Sequence, residues 1–276
     1  MTLVLTELSN AGIAMAADSA ITTIRGRVIE VDEHGWLKLI RVPSIKAAVS
    51  YWGMVGAVSK RMQFDQWLRR VIDSKNYSDL PSFADHLVNS LNEACKHKPL
   101  PDKHDMGIHV AGYHDWDDGV RRPYFYHVHN GHGRYGVMHV PDTQGSISVV
   151  IPKWQSDPRK LFEKHLDFPN ESRTLEANLM LLQYGYITRN GDFFIYSVIW
   201  EKLSEAFDYI NKIPNVSIPR DSSNLGSRKG LLHTILETII RLYRCSNQSR
   251  IVGGTVSSLA ISPKGYLPER RTRTPG

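Results

Sequence analysis

The chain is poor in cysteine. Cys95 and Cys245 are its two cysteines among 276 residues, they make no CxxC, and two thiols cannot build a disulfide framework. A reducing cytoplasm is the compartment this usage fits. Long apolar runs are also missing: no stretch reaches the roughly eighteen residues that would mark a membrane-spanning helix. The opening MTLVLTELSN has no basic segment ahead of an apolar one, so no secretory signal is expected. There is no G-x-S-x-G nucleophile elbow and no G-x-x-x-x-G-K-[ST] phosphate loop. Positive charge is in modest excess. The formal net charge is +6, and half of it sits in residues 264–276, where Lys264, Arg270, Arg271 and Arg273 outnumber Glu269. The remainder is too small for a nucleic-acid surface, and the segment 264–276 reads as a disordered basic tail after a domain spanning 2–263.

What is present is a grouped pattern of strands and helices. Residues 3–8 and 13–17 are β-capable runs around Ser9-Asn10-Ala11-Gly12, a hairpin signature. A second pair is expected from 25–31 and 36–42, and Pro43-Ser44 then separates it from a strand over 45–51. From Met54 to Ile72, apolar residues recur every three or four positions, which predicts a helix whose Trp67, Leu68, Val71 and Ile72 either cover a sheet or meet another subunit. Ser78-Asp79 and Pro81 predict the start of a second helix through Phe83, Leu87 and Leu91. Strands are expected at 106–113 and 123–128, flanking the turn His114 to Gly119, and an extended segment over 133–151. Helical patterns follow after Pro158 (Leu161, Phe162, Leu166) and at 172–184, 194–210 and 230–243, and a last strand over 252–262. Strands grouped apart from helices argue an α+β layered fold.

Thr2 is the residue with chemical potential. Its side chain is small enough to permit removal of Met1, which would give one residue both a hydroxyl and a free α-amine. That amine, with an ordinary pKa of about 7.7–8.0, is partly neutral near pH 7 and can take the hydroxyl proton as the oxygen attacks a carbonyl.

Several motifs follow in order: Gly12-Ile13-Ala14-Met15-Ala16-Ala17-Asp18-Ser19, then Lys38-Leu39-Ile40, then Ala47 to Gly53, then Ala111-Gly112-Tyr113, then Val252-Gly253-Gly254-Thr255-Val256. This series resembles the proteasome β-subunits and the bacterial two-component proteasome-like peptidases. The resemblance covers about residues 2–130 and 228–262, and the segment 131–227 has no counterpart in it. It implies the four-layer αββα sandwich of N-terminal-nucleophile hydrolases. It also implies Thr2 as nucleophile, Lys38 as the buried cation beside it, Asp18 as the partner of Lys38, and the Gly53 N–H as oxyanion donor. The family spacing from threonine to lysine points to His34, so Lys38 needs a longer connection before it, and Lys46 is a weaker rival. The family's aspartate and serine before the double glycine fall at Ser249 and Val252.

The function implied is a threonine peptidase acting on peptides or unfolded protein, with no cofactor, assembled as a homo-oligomer that encloses its nucleophiles; an unfoldase ATPase partner is left open. The other readings are a proteasome-like subunit without activity and an amidohydrolase of small amides. Among remaining features, His127, His129, His132 and His139 read as a solvated strand edge rather than a zinc site, since no cysteine or acid stands at ligand spacing. Asp115 to Gly119 lacks the distal glutamate of a calcium loop and reads as a hairpin turn.

Overall fold

The computed structural model describes residues 2–25, 28–33, 36–53, 55, 62–95, 106–116, 118–130, 163–168, 175–191, 224–246 and 252–273, together with 195, 199, 202, 205–206, 209–210 and 212–214. The strands are β1 (Leu3–Ser9), β2 (Gly12–Ala17), β3 (Ile21–Arg25), β4 (Val28–Asp32), β5 (Leu39–Val42), β6 (Ala47–Gly53), β7 (Met106–Asp115), β8 (Arg121–His129), β9 (Glu163–Phe168), β10 (Tyr186–Gly191), β11 (Thr255–Ser262), β12 (Gly265–Tyr266) and β13 (Arg270–Arg273). The helices are α1 (Phe64–Asp73), α2 (Leu80–Cys95), α3 (Leu175–Tyr184) and α4 (Leu225–Cys245). One sheet runs β10-β1-β2-β11-β12, with β13 also on β11; the other runs β5-β6-β7-β8-β9; β3 and β4 form a separate hairpin. All the pairings are antiparallel.

Side-chain alternation along the strands builds the layers. On β1, Val4 and Leu8 join Met15, Leu259, Ala48 and Phe125 in a core between the two sheets. Leu3 and Leu5 turn the other way, onto Leu232, Leu236 and Ile239 of α4. On the second sheet, Val49, Tyr51, Ile108 and Val110 pack against Leu68, Phe83 and Leu87 of α1 and α2. The result is helices, sheet, sheet, helix: the α+β, αββα sandwich expected from the sequence. Because each sheet is covered on both faces, β1 is buried at all seven positions and shows no alternation of polar and apolar residues. Leu68, Val71 and Ile72 are buried against their sheet, so most of that helical face is spent inside the molecule.

Several expectations are corrected. The second hairpin is β3–β4, with Ile21 opposite Asp32, and β5 pairs with β6 instead; the β-branched run Ile21-Thr22-Thr23-Ile24 is the missed strand. The helix expected from Met54 begins at Phe64, since Gln63 has the extended backbone of a cap, φ −64 and ψ 145; Val58 lies outside the described residues. Leu166, placed on a helix, lies on β9, which pairs with β8; Leu161 and Phe162 are outside the described residues, as is 133–151. Of the 194–210 helix, the described residues Ile195, Ile199, Lys202, Glu205, Ala206, Tyr209 and Ile210 are helical. The strand β10 was not foreseen. α4 starts five residues earlier than its apolar pattern, because Asn224 caps it by accepting from the Ser227 N–H at 3.0 Å.

The basic tail is not a free end over 265–273. β13 pairs along β11 from Thr255 to Ser258, Lys229 donates to the Pro268 carbonyl at 2.6 Å, and Thr272 Oγ1 lies 2.6 Å from Nε2 of the buried His233. An edge strand needs backbone pairing and one inward side chain, here Thr272, and no apolar periodicity. No helix among the described residues is long and apolar enough to cross a membrane.

One buried ion pair joins the first strand to the last helix. Glu7 on β1 bonds Nε of Arg228 on α4, and their side chains are 1% and 4% exposed. Burial raises the Glu7 pKa to about 7, and Arg228 opposes the rise. A carboxyl whose folded pKa lies above its unfolded value favours the fold most at acid pH and loses that contribution as pH rises towards 7. Arg228→Met should therefore cost about 3–5 kcal/mol at pH 8, where an ionised Glu7 is left without its cation, and less at pH 5, where Glu7 can take up a proton. Urea unfolding at the two pH values checks this.

Candidate active site

Three of the four expected site residues converge at the N-terminal end of β1. Lys38, just ahead of β5, is 1% exposed; Asp18, just past β2, is 1% exposed; Thr2 is 5% exposed. Lys38 Nζ lies 2.8 Å from Thr2 Oγ1 and 2.9 Å from Asp18 Oδ1, and it also donates to the Ala20 carbonyl. Asp18 Oδ1 accepts the Leu3 N–H at 3.1 Å, and Oδ2 accepts the Gly253 N–H at 3.1 Å. The carboxylate is thereby fixed between the first strand and the segment that leads into β11.

Burial pushes the Lys38 pKa below its ordinary value, and the Asp18 charge pulls it back up. The three partners of Nζ suit both protonation states. An ammonium can donate to Thr2 Oγ1, Asp18 and the Ala20 carbonyl together. A neutral amine can donate to Asp18 and Ala20 while accepting from the Thr2 hydroxyl. A proton can thus pass between Thr2 Oγ1 and Lys38 Nζ without breaking any of these contacts, which is the condition for activating a hydroxyl nucleophile.

One rival of Lys38 lies elsewhere. Lys46 donates to the Pro263 carbonyl at 3.1 Å on the exposed surface, and His34 lies outside the described residues. Gly53 ends β6 opposite Met106, is exposed, and has φ +86. Of the two positions aligned with the family's closing aspartate and serine, Ser249 lies outside the described residues and Val252 is a buried core residue.

Sequence reasoning missed the frame around Asp18. The Gly253 carbonyl accepts from the Ser19 and Ala20 N–H groups at 3.3 and 3.1 Å. Ser19 Oγ donates to the Glu33 carbonyl at 2.9 Å and accepts the Thr255 N–H at 2.8 Å. The adjacent Asp18-Ser19 and Gly253-Gly254 were visible as motifs; nothing in the sequence pointed to Glu33. The histidine patch is also corrected. His127 is not on a solvated edge, because β8 lies between β7 and β9. It is 8% exposed and accepts from Trp52 Nε1 at 3.1 Å. Beside it His109, fully buried, spans the two sheets between Thr6 Oγ1 of β1, 2.9 Å from its Nδ1, and Asn190 of β10. His132 and His139 lie outside the described residues. The Asp115 to Gly119 turn joins β7 to β8, with the Gly119 N–H on the Trp116 carbonyl at 2.7 Å.

No protein-family profile matches the chain, and no curated protein matches it. Solved structures do. Anbu from Hyphomicrobium sp. strain MC1, as a Gly-1 mutant, superposes with a TM-score of 0.52 at 13% identity over 99% of this chain and 88% of that one. Anbu (ancestral beta-subunit) from Yersinia bercovieri gives 0.51 at 12% identity, over 99% and 87%. A second crystal form of the Hyphomicrobium Anbu gives 0.51 at 12% identity, over 99% and 88%. At these identities the likeness shows the fold alone, the α+β sandwich that this chain shares with them. It also corrects the sequence resemblance: these three structures are Anbu proteins, a distinct proteasome-related family, where the sequence pointed to the β-subunits and the two-component peptidases.

The double glycine makes a sharp test of the frame. A Cβ on Gly254, at φ +77, would lie 2.2 Å from the Glu33 carbonyl and 2.3 Å from Ser19 Oγ; one on Gly253 would come no closer than 3.3 Å, to the Glu33 carboxylate. Gly254→Ala should cost more than about 2 kcal/mol through clash and backbone strain, and Gly253→Ala should be far milder, as thermal unfolding of the two variants will show.

Proposed function

We propose that this chain is an N-terminal threonine hydrolase that cleaves amide bonds, acting as a proteasome-like peptidase on peptides or unfolded chains once Met1 has been removed. The observation that carries the reading is the 2.8 Å approach of Lys38 Nζ to Thr2 Oγ1, with Asp18 2.9 Å from the same ammonium. In this reading the freed Thr2 α-amine takes the hydroxyl proton, and Lys38 stabilises the developing alkoxide. Thr2 Oγ1 attacks the scissile carbonyl, giving an acyl-enzyme and releasing the amine half of the substrate. Water then attacks the ester, returns the carboxylic acid, and restores the hydroxyl. The Gly53 N–H is the proposed donor to the tetrahedral oxyanion, a role in which one preorganised donor is worth roughly 3–4 kcal/mol.

Intact mass should show a mature chain that begins at Thr2. A β-lactone should acylate Thr2 in the native protein. Thr2→Ala should abolish acylation, Thr2→Ser should retain part of it, Lys38→Ala should lower it by about 10²- to 10³-fold, and Lys46→Ala should leave it near the native rate. Full retention of Met1 in soluble native protein, or acylation of the alanine variant, refutes the reading.

We further propose a homo-oligomer, because a nucleophile open to any unfolded chain has to be restrained by access, and closed symmetry is the common solution. Exposed Met180, Tyr209 and Ile213, at 54%, 71% and 52%, give apolar surface for subunit contacts. Light scattering at micromolar concentration should report a closed assembly; a monomer at every salt concentration would refute it.

A further inference from the structure

We infer that the Glu33–Arg244 ion pair is a positioning device for Lys38 and Asp18, an assignment that rests on the reading of Thr2 as nucleophile. Arg244 Nη2 lies 2.8 Å from Glu33 Oε2, with the side chains 11% and 23% exposed. Arg244 stands in the last turn of α4, where a cation also meets the negative end of the helix. Glu33 follows β4 and belongs to the connection that runs on to Lys38. The pair therefore fixes that connection to the end of a helix distant in sequence, the partners standing 211 positions apart.

The backbone of Glu33 reaches the active-site frame directly. Its carbonyl accepts Ser19 Oγ at 2.9 Å, and it lies so close over Gly254 that a Cβ there would come within 2.2 Å of it. Ser19 in turn holds the Thr255 N–H at 2.8 Å. Below this contact the Gly253 N–H bonds Asp18 Oδ2, and the Gly253 carbonyl receives the Ser19 and Ala20 amides. Two of the three acceptors of Lys38 Nζ, the Asp18 carboxylate and the Ala20 carbonyl, belong to that same 18–20 segment. One latch thus governs both the connection that enters Lys38 and the loop that presents its partners. Without the latch, the two can shift against each other while the hydrophobic core stays intact. Glu33 and Arg244 touch none of the reacting atoms; they act through Ser19, Gly253 and Asp18.

A purely structural role for a partly exposed ion pair predicts a small change in stability and nothing else. The positioning role predicts a different pattern. Glu33→Gln should leave the unfolding midpoint nearly unchanged and lower the maximal rate of Thr2 acylation by a β-lactone about ten- to a hundredfold, as small misplacements of catalytic groups do. The half-saturating lactone concentration should not move. Amide hydrogen exchange at Gly253 and Ala20, which is independent of any chemistry at Thr2, should accelerate by about tenfold. Arg244→Glu should behave like Glu33→Gln, and the charge-reversed pair Glu33→Arg with Arg244→Glu should recover most of the rate and the protection. A Glu33→Gln variant with native exchange at Gly253 and Ala20 overturns the inference whatever happens at Thr2. So does native acylation in that variant, or a folded charge-reversed pair that recovers neither quantity. Failure of the wild-type chain to be acylated at Thr2, with exchange still accelerated in Glu33→Gln, overturns the nucleophile reading and leaves the latch standing.

Discussion

Lys38 is a charge placed where water cannot reach it, and much of the surrounding architecture answers that cost. An ammonium at 1% exposure is tolerable only if its hydrogen-bonding hydrogens meet acceptors and a counter-charge stands close. Asp18 supplies the counter-charge, but a carboxylate buried to the same degree has its own demands. These are met by two backbone amides drawn from opposite ends of the chain, at Leu3 and Gly253. Each solution recruits another segment, so the pair ends up anchored to β1, β2 and the approach to β11. The Thr2 hydroxyl is the third acceptor for the three ammonium hydrogens, so solvating Lys38 and holding Thr2 Oγ1 beside it are met by one contact.

The fold was legible in the sequence wherever local signals matched their setting. The Asn10–Gly12 hairpin, the Asp79 cap of α2, where Oδ1 accepts the Ser82 N–H at 2.7 Å, and the closing strand all carried turn or cap chemistry that local sequence specifies. Thr2 stood out by its position and its hydroxyl, while Asp18 and Lys38 were singled out through the family resemblance; the fold brings the three side chains together. What could not be read was long-range pairing. β9 and β13 are strands because β8 and β11 offer open edges, not because Glu163–Phe168 or Arg270–Arg273 have strong β character. β10 hides in a short Tyr-Ile-Thr-Arg run after α3, and its position beside β1 follows from register alone.

The histidines show the same limit from the other side. His127 reads in the sequence as part of a solvated strand edge, and nothing there marks His109 as its buried neighbour. In the fold they lie in the interior, where His109 is bonded to Thr6 and His127 receives the Trp52 indole. A polar residue inside an otherwise apolar layer is tolerated when both ring nitrogens find partners. His109 meets this condition through Thr6 and Asn190, residues on two neighbouring strands of the facing sheet. Such a crosslink resists sliding of one sheet over the other, which a layer of leucines alone would resist less well.

The bond from Gly253 to Asp18 spans 235 residues, and β11, with β13 on its outer side, is what brings Gly253 there. A ribosome delivers the first three strands long before it delivers that amide. While the later residues are still being made, the Asp18 carboxylate lacks one of its two backbone donors, and β2 has an unpaired edge. Contacts of such sequence separation form late and slowly. The proposed chemistry at Thr2 would therefore have a timer written into chain order: a protein still under synthesis, surrounded by other unfolded chains, has not yet completed the constellation proposed to attack them.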